Sequence, residues 1–193
     1  MKRWTVWMTF AAVLLVAANA SALDAYQDRR GLFAGVSLGG GPGAADVENP
    51  TDITGLDENR QLGFHIGAEL GGGVSKNVTA ALGLNWWIRT VTVGSRHLNH
   101  QHLSLLPTAR LFIIDGLYAV GGAGLGYAVF DAERAGVQVQ KYREMGLAAK
   151  LGAGYEFFLN GTVAGGIEAN YTRHFYANAD FDTINGLVTV RWY

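Results

Sequence analysis

The chain has no cysteine, three prolines and few charges, with Asp, Glu, Lys and Arg making up 16% of its 193 residues. Without cysteine there can be no disulfide framework and no thiolate metal site. Beyond the N-terminal leader no apolar run reaches the roughly 18 residues that a membrane helix requires. No cluster of Lys and Arg forms the basic patch that a nucleic-acid partner needs. What is plentiful is glycine, at 27 residues, and apolar side chains, at 49%. High apolarity without long runs implies alternation, and alternation implies strands.

The first 22 residues read as a cleavable signal peptide. Lys2 and Arg3 supply the positive start, Trp4 to Ala18 is mostly apolar, and Ala20-Ser21-Ala22 offers a small-x-small cleavage site. The domain expectation is therefore a leader over 1–22 and one domain over 23–193. Removal of the leader leaves 13 basic against 16 acidic residues, a formal charge of −3.

Gln61 to Gly71 sets the pattern for the rest. Leu62, Phe64, Ile66, Ala68 and Leu70 share one parity, while Gly63, His65, Gly67, Glu69 and Gly71 share the other. A period of two is a strand with two unlike faces. Glycine beside ionisable groups is a poor exterior for a soluble sheet and a good lining for a crowded polar interior. The apolar face then meets lipid, which is the pattern of a transmembrane β-barrel.

The same alternation recurs along the chain. Strands are expected at Gly31–Gly41, Gln61–Gly71, Val78–Val93, from about His102 to Ile113, Leu117–Phe130, up to Phe158, Thr162–His174 and Asp182–Tyr193. Pro107 interrupts the fourth and is expected to mark a bulge. Connections alternate between short (Gly71–Asn77, Asp115-Gly116, Leu159–Gly161) and long (Pro42–Arg60, Gly94–Gln101, Asp131–Lys141, Phe175–Phe181). Short turns at one rim and long loops at the other belong to outer-membrane barrels. Trp86, Tyr127, Tyr155, Phe157, Tyr171 and Trp192 fall near strand ends, where aromatic girdles form. A soluble lipocalin-like barrel shares the parity but would expose the glycine face. The expected fold is all-β: an antiparallel transmembrane β-barrel of about eight strands.

Four stretches carry a family resemblance: Gly31-Leu-Phe-Ala-Gly-Val-Ser-Leu-Gly-Gly-Gly41, Gly121-Gly-Ala-Gly-Leu-Gly-Tyr127, Gly152-Ala-Gly-Tyr-Glu156 and the terminal Gly186-Leu-Val-Thr-Val-Arg-Trp-Tyr193. The chain resembles the OmpA/OmpX-like small outer-membrane β-barrel superfamily. The resemblance implies export through the periplasm to the outer membrane of a Gram-negative bacterium, with lipid and lipopolysaccharide as surroundings. It also implies that the barrel assembly machinery reads a terminal signal, here Val188, Val190, Trp192 and Tyr193. Tyr193 departs from the pattern, since it shares its parity with Thr189 and Arg191 and not with Trp192.

The inward parities collect His65, Glu69, Arg89, Arg110, Lys150, Glu156 and Glu168. Unpaired charges there would be costly, so a structural salt-bridge network is expected. Eight strands leave room only for side chains, so the barrel is expected to be plugged; a narrow conduit for small solutes is the alternative. His97, His100 and His102 have a spacing that could hold a metal, but no acidic or cysteine ligand adjoins them, and a polar rim is the expectation. His102-Leu103-Ser104 resembles the His-x-Ser pair of outer-membrane lipid A deacylases. That pair must face lipid, whereas here it shares the face of Thr108 and Arg110. The glycine-rich stretches match neither nucleotide-binding pattern. No catalytic residue, cofactor or metal is therefore expected, and a lipid A-modifying hydrolase is the less favoured alternative beside the narrow channel. The expected role is structural or adhesive, with a ligand at the outer loops, chiefly Pro42–Arg60 and Asp131–Lys141.

Overall fold

The computed structural model describes residues 29–47, 61–93, 96–134, 137–177 and 179–193. The expected signal peptide over 1–22 and most of the expected first loop lie outside the described residues. The eight strands are β1 (Leu32–Val47), β2 (Gln61–Ser75), β3 (Val78–Val93), β4 (Arg96–Ile114), β5 (Leu117–Arg134), β6 (Val137–Phe158), β7 (Val163–Phe175) and β8 (Ala179–Trp192). Each pairs antiparallel with its neighbours in the chain, and β1 pairs with β8, which closes the sheet and leaves no edge at the seam.

The register fixes the barrel's dimensions. One hydrogen-bonded path runs from Val36 through Ala68, Leu84, Leu105, Leu125, Leu147, Phe175 and Asp180, and returns to β1 at Asp46, ten residues further on. Eight strands with that stagger tilt by about 40° and give a backbone radius of about 8 Å. Such a lumen is filled by side chains.

The two faces sort as the alternation requires. Leu62, Phe64, Ile66 and Leu70 are exposed, and His65 is buried. Outward residues from Leu117 to Tyr127 on β5, and from Met145 to Tyr155 on β6, form an apolar band. Ten residues at this tilt span about 25 Å, the height of a barrel's lipid-facing belt. Phe175, in register with Leu147, and Trp86 stand exposed toward its outer edge, Tyr171 pairs with Leu151 midway down it, and Tyr155 and Trp192 stand near its inner edge. The Trp86 indole N–H donates to Gln101 Oε1 at 3.1 Å, as suits the polar side of an interface.

Three expectations about connections are corrected. β2 continues to Ser75, so Gly71–Asn77 is mostly strand with a tight turn at Lys76-Asn77. β4 begins at Arg96, and β5 and β6 run through Asp131–Arg134 and Val137–Lys141, so two of the expected long loops are largely paired strand. Above the lipid band neither face is required to be apolar, so the alternation fades while backbone pairing continues. Pro107 makes no bulge, because the β3–β4 register is continuous across it and the β4–β5 shift falls at Phe112/Ile114. The turn at Asp115-Gly116 has positive φ at both residues (23° and 94°), the geometry that favours this dipeptide in hairpins.

Candidate functional site: a filled lumen beneath a raised sheet

Inward side chains stack in three levels. At the periplasmic mouth Phe33 and Phe158 flank the Tyr193 ring, with centroids 5.2 and 5.5 Å away. Arg29, just ahead of β1, enters this mouth. Its guanidinium lies 4.1 Å from the Phe112 ring centroid, and its Nε donates to Glu156 Oε1 at 2.9 Å. A cation held by a buried carboxylate between aromatic faces is a strong closure.

The middle level is an ion-pair ladder. Arg191 Nε donates to Glu69 Oε1 at 2.6 Å and Arg191 Nη1 to Glu156 Oε2 at 2.7 Å. Arg110 pairs with the other oxygen of Glu69. Lys150 pairs with Glu168 at 2.7 Å, and Glu168 also accepts from the Tyr118 hydroxyl and from Asn170 Nδ2, each at 3.0 Å. The Tyr193 hydroxyl donates to Glu156 at 3.1 Å. Burial comes first, and Glu156 second, in holding that phenol above its ordinary pKa.

Of the seven expected interior residues, the structure brings Glu69, Arg110, Lys150, Glu156 and Glu168 into this ladder. His65 and Arg89 are buried at the outer level instead. Arg191 and Arg29 are members that the sequence reading did not name. For Arg191 the signal was present, because it shares the parity of Thr189. Arg29 had none, since it precedes the first strand. Glycine opens room for large partners: a Cβ on Gly63 would meet the Trp87 ring, and one on Gly67 would meet Ser37.

The outer level is aromatic and imidazole-rich. His102 stacks on Phe181 with centroids 3.7 Å apart. His102 Nε2 lies 2.7 Å from His100 Nε2, and His102 Nδ1 lies 2.9 Å from the Tyr176 hydroxyl. Burial, then Glu144, raises the Tyr176 phenol above its ordinary value. Among the described residues no three His, Cys, Asp or Glu side chains converge as metal ligands. His97 carries no described side chain. His102 and Ser104 are 3% exposed and face the lumen, so lipid acyl chains do not reach this pair.

At the C-terminus Val188 and Trp192 are exposed to the lipid side, at 62% and 47%. Tyr193 turns inward onto Glu156.

Outside the barrel wall β3 to β6 rise above their neighbours. A tilted strand crosses a bilayer in about 9–11 residues, whereas β6 has 22. Its pairing with β7 starts at Leu147, and from Val137 to Gly146 it pairs with β5 alone. The β3–β4 hairpin is paired up to Val93 and Arg96.

Comparison with known proteins places this architecture. The Ail protein of Yersinia pestis, the attachment invasion locus protein, crystallised with the heparin analogue sucrose octasulfate, superposes with a TM-score of 0.61 at 12% identity, covering 83% of this chain and 99% of Ail. Neisserial surface protein A superposes with a TM-score of 0.55 at 12% identity, covering 84% of this chain and 99% of its own. At such identities the likeness is one of fold. Comparison with the curated proteins finds no match. The outer membrane protein beta-barrel domain model matches residues 8–192. With a closed eight-stranded wall, an apolar belt and a charged lumen, the chain belongs to the outer membrane protein β-barrel domain family and resides in the outer membrane of a Gram-negative bacterium.

Proposed function

We propose that this barrel is a closed platform for surface attachment, and that the raised β3–β6 sheet makes the contact. The observation that carries the reading is the excess strand length. Residues beyond the lipid band serve no spanning purpose, yet they are held in paired, ordered strands. A paired sheet presents a contact surface with less entropy to lose than a free loop. In sequence this region carries Arg96, Arg134, Lys141 and Arg143 beside Asp131, Glu133 and Glu144, a mixed composition suited to polar partners. The likeness in fold to Ail, crystallised with a heparin analogue, supports a polyanionic saccharide as the first ligand to try. The filled lumen supports a non-conducting role over a solute channel.

Two further contacts belong to this proposal. Val188, Val190 and Trp192, with Tyr193 behind them, form the signal for the assembly machinery. Lipopolysaccharide surrounds the outer edge of the belt, where Arg173 pairs with Asp180 at 2.6 Å on the outer wall.

The test replaces residues 132–141 with a two-residue turn. Attachment of cells to heparin-coated and host-cell surfaces is then measured beside a heat-modifiable gel shift. Loss of attachment with the shift retained supports the reading. Undiminished attachment in a folded variant refutes it, and stable conductance steps in planar bilayers would refute the closed lumen.

A further inference from the structure

The middle level of the lumen is ion-paired, but at the outer level the imidazoles of His100, His102 and His174 pair with no carboxylate among the described residues. His100, His102 and His174 are 7%, 3% and 3% exposed. Among the described residues His100 Nδ1 has no hydrogen-bond partner. His102 is the centre, joined to His100 on one side and to Tyr176 on the other. Tyr176 lies in the β7–β8 connection. Its backbone N–H donates to the Ala179 carbonyl at 3.1 Å, and the N–H of Ala177 donates to Glu144 Oε1 at 2.8 Å. This chain of contacts ties a surface turn to the barrel interior.

We propose that Tyr176, His102 and His100 form an acid-released latch that holds the β7–β8 turn over the extracellular mouth of the lumen. When the Tyr176 hydroxyl donates to His102 Nδ1, His102 carries its proton on Nε2 and donates it to His100 Nε2. Both acceptors must be bare nitrogens. A proton on His100 Nε2 sets two N–H groups against each other across 2.7 Å. A proton on His102 Nδ1 removes the site that receives the Tyr176 hydroxyl. Either event also adds positive charge in a low-dielectric interior.

Among the described residues no carboxylate pairs with the His100 or His102 ring. Arg89 of β3 stands opposite His100 in register, and His174 of β7 and His65 of β2 are further imidazoles at this level. On β6, Glu144 sits at the turn on Ala177, while Lys150 lies deeper, paired with Glu168 of β7. The inward residues from the other strands are uncharged: Gly41 and Gly43 of β1, Ala128 and Phe130 of β5, and Phe181 and Thr183 of β8. The latch therefore holds in full above the ordinary imidazole range, about pH 6.5, and weakens progressively as pH falls below it. The ion-paired middle level keeps the barrel closed meanwhile.

The test is amide hydrogen exchange by NMR on the folded barrel in lipid nanodiscs at about pH 7.5 and about pH 5, corrected for intrinsic rates. In the wild type, protection of the Tyr176 and Ala177 amides should fall at least about tenfold at the lower pH, while β8 amides near Thr189 keep theirs. The double variant His100→Asn/His102→Asn keeps polar side chains that do not titrate, and should show no such step. Tyr176→Phe, which touches no ion pair, should be poorly protected at both values, and it carries the test if the double variant does not fold. Glu144→Gln should retain the step. Equal wild-type protection at the two pH values overturns the proposal. So does a step that survives in the histidine double variant, or one that disappears in Glu144→Gln.

Discussion

Arg191→Met should be the most damaging single substitution in the middle of the lumen. Arg191 is 2% exposed and holds Glu69 at 2.6 Å and Glu156 at 2.7 Å. A hydrogen bond between charged groups contributes about 1.5–3 kcal/mol, and two are lost. Breaking a buried pair also leaves the remaining charge in a low-dielectric interior, at a cost of about 3–5 kcal/mol. Here each carboxylate keeps a second cation, Arg110 for Glu69 and Arg29 for Glu156. The expected loss therefore lies at the lower end, about 3–4 kcal/mol. Methionine fills much of the arginine stem's volume, so the cavity term stays small. The assay is reversible urea unfolding from lipid vesicles, followed by tryptophan fluorescence, with the heat-modifiable gel shift as the check on folding. Adding Glu69→Gln takes the carboxylate from the buried Arg110 as well, so the double variant should lose more than Arg191→Met alone. A loss below about 1 kcal/mol for Arg191→Met, or a double variant no less stable than the single, would refute the ladder as the element holding the lumen.

Four other substitutions probe the wall, the interior and the mouth. Leu151, 69% exposed and midway along the lipid-facing part of β6, should lose about 2–4 kcal/mol on change to Arg, whereas Phe64, near the outer edge of the belt, should lose only about 0–1 kcal/mol. Equal costs in the same vesicle titration would mean the belt is misplaced. Gly63→Val drives a side chain into the Trp87 ring and should cost about 1–3 kcal/mol, with a shift in that tryptophan's emission; a neutral result would mean the ring has free space. Tyr193 has a raised phenol pKa, so its contribution is complete below about pH 10 and is lost as pH climbs toward the raised value. Tyr193→Phe should lower neutral stability by about 1 kcal/mol and reduce the alkaline fall. An identical alkaline profile would place the titrating group elsewhere.

The alternation by itself determined the wall. A strand beside lipid must be apolar on every second residue, and no distant contact is needed to see that. Leu62, Phe64, Ile66 and Leu70 therefore declared the outer face, and Glu69, Arg110 and Glu168 the inner one. Turn chemistry was equally local at Asp115-Gly116. Closure and height were decided by tertiary structure alone. The stagger that returns Val36 to Asp46 exists only when β1 meets β8, and it sets both the tilt and the narrow lumen. Parity put Arg191 on the inner face, but only the closed ring carried Glu69 and Glu156, far apart in sequence, to its guanidinium. Arg29 was illegible for the same reason, because its partners Phe112 and Glu156 come from strands across the mouth. The raised sheet was hidden because pairing above the membrane makes no demand on side-chain polarity, so Asp131–Lys141 looked like loop. Period two encodes which way a side chain points; which partner it meets there depends on how the strands close.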